Sequence, residues 1–126
     1  MEDEKLSKNF HRSEFACKGE NCCNHSAPVN MLLVKGLQAM RYGIQKPIII
    51  TSGFRCRKHN AEIAGAEDST HTIGDAADIK AEGYTGPQLA DLAECVDAFK
   101  NGGIGIYPDR IHVDVRQDGP ARWKRR

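Results

Sequence analysis

Apolar residues recur at helical spacing in two stretches of the chain, and between and after them lie short runs of β-branched residues. Val29, Leu32, Leu33, Leu37 and Met40 fall on one face of a helix predicted over 28–42, with Ser26 as its cap and Pro28 in its first turn. Leu89, Leu92, Ala93, Val96 and Phe99 form a second such face. It is introduced by Thr85-Gly86-Pro87-Gln88, which has capping-box spacing, and is stopped near Asn101-Gly102-Gly103. Ile48-Ile49-Ile50-Thr51 and Ala76-Ala77-Asp78-Ile79 read as buried strands, with a short helix from Arg57 to Ala64 and a loop over 65–68 between them.

Two late runs, Ile104–Tyr107 and Ile111–Val115, are joined by Pro108-Asp109-Arg110 and read as a hairpin. Alternation puts His112 and Asp114 on one face of the second strand and Ile111, Val113 and Val115 on the other. This order of elements predicts an α+β fold: a small, mainly antiparallel sheet packed with two main helices. The chain of 126 residues has room for a single domain over 1–126. Residues 1–9 carry mixed charge and few apolar groups and are expected to form a loose arm. Residues 122–126, with Arg122, Lys124, Arg125 and Arg126, are expected to form a solvated basic tail, and Trp123 to close the core.

Composition narrows the function classes. A net charge of +1 gives no general electrostatic reason to bind nucleic acid, and no apolar run approaches the length of a membrane span. The acidic start, Met1-Glu-Asp-Glu-Lys5, lacks the pattern of a secretory signal, so synthesis in the cytoplasm is expected, with action elsewhere only after release. Five cysteines is an odd number and argues against a fully paired disulfide framework. Cys17, Cys22 and Cys23 lie with His25 in one loop. That group could be a small zinc knot, a set of loop thiols or one local disulfide. Cys56 and Cys95 read as buried free thiols.

The chemistry concentrates in Ser69-Thr-His71-Thr-Ile-Gly74-Asp-Ala-Ala-Asp78 and in Asp109-Arg-Ile-His112. A catalytic zinc needs three protein ligands, an open position and a nearby carboxylate to take a proton. His71, Asp78 and His112 can fill the first role and Asp109 the last. Taken singly, a histidine is more often a surface or core residue, and an Asp beside Gly a turn former.

Together, Ser69-x-His71-x-x-Gly74-x-x-x-Asp78 and Asp109-x-x-His112 resemble the zinc metallopeptidase family of D-alanyl-D-alanine carboxypeptidases, D-Ala-D-Ala dipeptidases and phage L-alanyl-D-glutamate endopeptidases. Ser52-Gly53-Phe54-Arg55 and His59-Asn60 also resemble the segment before the family's first ligand, and the similarity runs from Phe10 to Trp123. The resemblance implies a hedgehog-like zinc fold with the site on the sheet face. His71, Asp78 and His112 would hold Zn2+, Asp109 would act as general base, Arg55 would stabilise the oxyanion and Ser69 would contact substrate. It further implies peptidoglycan stem peptides as partners and cleavage next to a D-amino acid. The main expectation is a D,D-carboxypeptidase, with a phage-type L-Ala-D-Glu endopeptidase as the close variant. A non-catalytic zinc-containing binding domain, as in the related hedgehog domains, is the alternative outside enzymology. Asp114 could orient the His112 imidazole or be a solvent-facing or salt-bridged carboxylate. Oligomeric state is not encoded in any of these motifs.

Overall fold

The computed structural model describes residues 3–66 and 69–125. Part of the loop expected at 65–68 and the terminal Arg126 lie outside the described residues. Two strands, β1 (Lys5–Ser7) and β2 (Phe10–His11), form an antiparallel ribbon, followed by a single 3-10 turn over Arg12–Phe15. Then come α1 (Met31–Ile44), β3 (Ile49–Ser52), α2 (Arg57–Glu62), a 3-10 turn over Thr70–Ile73 and β4 (Ala76–Lys80). The chain ends with α3 (Gly86–Ala93), α4 (Asp97–Lys100), β5 (Gly103–Ile106), β6 (Ile111–Asp114) and β7 (Ala121–Lys124). The main sheet has the order β3-β4-β6-β5-β7, antiparallel except for the parallel pair β5 and β7. The fold is therefore α+β with a mainly antiparallel sheet, as the element order predicts.

The sheet has two unlike faces because side chains alternate along each strand. Ala77, Ile79, Ile104, Ile111 and Val113 join Leu33, Val34, Leu37 and Met40 of α1 and Leu89, Ala90 and Ala93 of α3 in one continuous core, closed by Phe10, Phe15 and Phe99. The opposite face carries Asp78, His112 and Asp114. Register places Asp78 across from His112, and Gly105 across from His112 on the other side.

Several boundaries differ from the sequence reading. The first helix starts at Met31, not Pro28, and its cap is Asn30 rather than Ser26: the Asn30 side chain accepts the Leu32 N–H at 2.9 Å and donates to Asp75 at 3.2 Å. Ser26 instead donates to the Cys23 carbonyl. The capping box at Thr85 and Gln88 is formed, but the helix it opens divides, since Val96 is extended while Phe99 remains buried in the core.

Residues 5–9 and 121–125 have more attachments than the charge pattern predicts. Ser7 Oγ and the Asn9 N–H donate to Gln38 Oε1 at 2.6 and 2.9 Å, and Gln38 Nε2 donates to Asn9 at 2.8 Å, so residues 5–9 are not a loose arm. Their anchoring is mainly by hydrogen bonds, which leave no hydrophobic signature, with Leu6 alone of this segment packing against the core. The expected basic tail is likewise corrected. It supplies the edge strand β7, where Arg122 pairs with Glu94 at 2.7 Å. Trp123 stands on the polar face of the sheet and does not belong to the core.

Candidate metal centre

Three side chains from three elements converge on one point. Asp78 and His112 are cross-strand partners on β4 and β6, and His71 comes from the 3-10 turn that precedes β4. His71 Nε2 lies 3.2 Å from Asp78 Oδ1 and 3.2 Å from His112 Nδ1, and His112 Nδ1 lies 3.1 Å from Asp78 Oδ1. Around a four-coordinate ion with Zn–N and Zn–O near 2.0–2.1 Å, ligand atoms stand about 3.3 Å apart. The triangle has the size of one face of that tetrahedron.

The partners of the two rings fix which nitrogens face the centre. His71 Nδ1 is 2.7 Å from the Gly53 carbonyl, which can only accept, so the proton sits on Nδ1 and Nε2 offers its lone pair. His112 Nε2 is 2.7 Å from Asp114 Oδ2, so its proton sits there and Nδ1 is the free donor. Two imidazole lone pairs and a carboxylate oxygen aimed at one spot repel one another unless a cation or protons lie between them. His71 and His112 are 1% and 7% exposed, so water does little to relieve that repulsion. The donor set therefore fits a divalent ion.

Asp114, wholly buried, anchors the rest. It accepts from the Gly103 amide at 2.8 Å, from Thr70 Oγ1 at 3.3 Å, and from Arg116 Nε and Nη2 at 2.9 and 2.7 Å. A Cβ on Gly103 would overlap the Asp114 carboxylate, so the absence of a side chain there is what admits it. Gly105 similarly leaves space for the Trp123 indole, whose centroid is 5.0 Å from that of His112.

The ionisation of the group follows from these contacts. Burial raises the Asp78 pKa, but in the ion-free group His112 and His71, when protonated toward it, outweigh burial and hold the carboxyl well below the usual range. Burial is likewise overcome at Asp114, by His112 and Arg116. His112 is raised against the opposing effect of burial by Asp114 and Asp78. Arg55 is lowered, chiefly by burial, with Asp78 pulling the other way.

A cavity of about 480 Å³ opens over the triangle and is lined by Arg55, Ser69, Thr70, His71, Tyr107, His112, Arg116, Asp118, Trp123 and Arg125 among others. Arg55 leans into it from the end of β3. Its Nη2 is 3.5 Å from Ser69 Oγ, while its Nε is buried and has no acceptor among the described residues. Ser69 Oγ also accepts the His71 N–H at 3.2 Å, as the cap of the 3-10 turn.

Asp109 is the site residue that the structure does not bring to this group. It sits in the hairpin turn with its side chain 72% exposed, 3.1 Å from Arg110, and outside the cavity lining. Asp118, Tyr107, Arg116 and Arg125 were not singled out as site residues by sequence reasoning. Arg116 could have been found by continuing the alternation His112, Asp114, Arg116. The others lie in loops or near strand ends, where no periodic signal points to a common cavity.

The described residues include no helix long and apolar enough to cross a membrane. A family model described as Peptidase M15 matches residues 8–114. The chain is also 46% identical over 81 residues to a zinc D-Ala-D-Ala carboxypeptidase of Streptomyces albus G, an alignment that takes in 61% of this chain and 31% of that protein. The chain thus spans about a third of the length of that relative.

Proposed function

Because the chain belongs to the peptidase M15 family and is a zinc metallopeptidase, we propose that it hydrolyses peptidoglycan stem peptides next to a D-amino acid, as a D-Ala-D-Ala carboxypeptidase. The observation that carries this reading is the triangle of His71, Asp78 and His112 beside a cavity lined by His71, His112 and Arg55. Zinc, when bound, supplies Lewis-acid activation of water and of a carbonyl oxygen. His71, Asp78 and His112 are the residues that would hold it.

Arg55 has a permanent charge and fixed donors, and its guanidinium beside the cavity is suited to an oxygen on which negative charge develops. Ser69 steadies both Arg55 and the turn that carries His71, and its place on the cavity wall lets the same hydroxyl meet substrate. Arg125 adds a cation to the wall, as a substrate ending in a carboxylate requires.

The proton acceptor in this proposal is Asp109, three residues before His112, after its side chain turns from Arg110 toward the cavity. Asp118 on the cavity wall supports a second assignment. Asp109→Ala with zinc retained is expected to lose at least ~10²-fold in kcat, with Asp118→Ala close to the parent. The reverse pattern moves the role to Asp118.

The test of the whole reading is incubation of the zinc-loaded protein with defined stem peptides and analysis of the products by mass. Loss of a terminal D-Ala is expected. Cleavage at L-Ala-D-Glu makes the chain an endopeptidase of the phage type, and absence of any product with zinc bound supports a binding domain instead.

A further inference from the structure

A second cluster of ligand atoms lies away from the cavity. The Sγ atoms of Cys17, Cys22, Cys23 and Cys56 all fall within 4.8 Å of one another. Cys17 is 3.9 Å from Cys22 and 3.9 Å from Cys56, and Cys22 is 3.9 Å from Cys23. All four are free thiols. In a zinc tetrathiolate with Zn–S near 2.3 Å, the sulfurs stand about 3.8 Å apart, close to the three 3.9 Å pairs, with all four sulfurs inside 4.8 Å.

From these four positions we infer that the chain binds a second zinc ion, as a closed structural tetrathiolate. This inference is independent of the peptidase reading. The sequence grouping of Cys17, Cys22 and Cys23 with His25 is corrected in one member. His25 Nδ1 meets the Cys17 carbonyl at 2.8 Å, and the fourth ligand is Cys56, the N-cap residue of α2.

The loop is shaped to bring its sulfurs together. Asn21, Asn24 and His25 all take positive φ, near 55°, which turns the chain tightly on both sides of Cys22 and Cys23. The Cys17 N–H donates to the Ser26 carbonyl at 2.8 Å and Ser26 Oγ to the Cys23 carbonyl at 2.7 Å, closing the loop at its base. Lys58 of α2 donates to the Asn21 carbonyl at 2.9 Å, tying the loop tip to the helix that Cys56 caps. The His59 N–H donates to Cys56 Sγ at 3.4 Å, a contact that favours the thiolate. Gly19 is the close approach, since a Cβ there would come within 2.7 Å of Cys22 Sγ and 2.8 Å of the His59 ring.

Four thiols gathered this closely contribute little as apolar packing, because three of the four are only partly buried. As ligands they would join a loop of few apolar residues to the segment that positions Arg55. The balance is simple: each bound ion replaces the thiol protons, which leave to solvent, and no oxidant is involved.

The experiment measures zinc per chain by elemental analysis on protein purified under reducing conditions, with thiols counted by mass after alkylation. The parent is expected to carry a second equivalent beyond the catalytic one, and His71→Ala with His112→Ala to keep one. Cys22→Ser with Cys23→Ser should lose one equivalent and keep the other. Should that variant not fold, the parent answers alone: titration with an organomercurial should release one zinc as the thiols react, and cobalt loading should produce a thiolate charge-transfer band that the His71→Ala, His112→Ala protein retains. A single zinc lost with the histidines, or a mass deficit of two hydrogens per bridge showing disulfides among these cysteines, overturns the inference.

Discussion

The two ligand clusters of this protein are built on opposite plans. His71, Asp78 and His112 are set by paired strands, where a fixed register puts Asp78 beside His112 and the rings are locked from behind by Gly53 and Asp114. The four cysteines come from an irregular loop and a helix cap, held by tight turns and loop hydrogen bonds rather than by strand pairing. The difference teaches where preorganisation resides. A site that must leave a position open for chemistry needs its geometry supplied by the fold, while a closed tetrathiolate can itself reinforce a loop that only turns and hydrogen bonds hold.

The contrast can be broken most strongly at the sheet. His112→Ala should abolish turnover and lower zinc content by one equivalent while the thermal unfolding midpoint changes little, whereas a Cys56→Ser protein should show the larger drop in midpoint; calorimetry beside elemental analysis tests this. Next in size, Arg55→Ala should reduce kcat by ~10²–10³-fold with zinc content unchanged. A rate close to the parent would remove Arg55 from the chemistry.

Asp114→Asn should weaken zinc at the histidine site by ~10–100-fold and leave the thiolate site alone. Competition with a chromogenic chelator reads the two affinities separately. The smallest effect belongs to neither cluster. The pKa of Glu94 is lowered by its hydrogen bond to Arg122, so its contribution to stability is present above the unfolded carboxyl pKa and is lost as pH falls through the folded one. The pair is largely exposed, so Glu94→Gln should cost no more than ~0.5 kcal/mol near neutral pH and nothing in acid. Denaturant melts at two pH values measure it.

Much of the fold was legible because it rests on periodicity. The stripe Leu33, Leu37, Met40, the capping box at Thr85 and the hairpin alternation around His112 are local signals, and each element appears near its expected place. What escaped was held by contacts between distant, mostly polar residues: Ser7 and Asn9 on Gln38, the β7 strand beside β5, and Asn30 taking the cap from Ser26. The convergence of His71, Asp78 and His112 was readable since two of them share a strand pair and motif spacing marks all three. Cys56 was not, because no local pattern joins it to a loop more than thirty residues earlier. Asp109 shows the converse limit: spacing from His112 names a residue but does not orient its side chain.

The tie between Arg55 and His71 runs in both directions. The Arg55 N–H donates to the His71 carbonyl at 3.0 Å, and the His71 ring donates to the carbonyl of Gly53, two residues before Arg55. These two bonds close a ring of backbone and imidazole, so Arg55 and the proposed ligand His71 share one small rigid body. Whatever an ion gains by fixing His71 is then already spent on fixing Arg55. A peptide held by Arg55 should raise zinc affinity by the same factor that zinc raises affinity for the peptide.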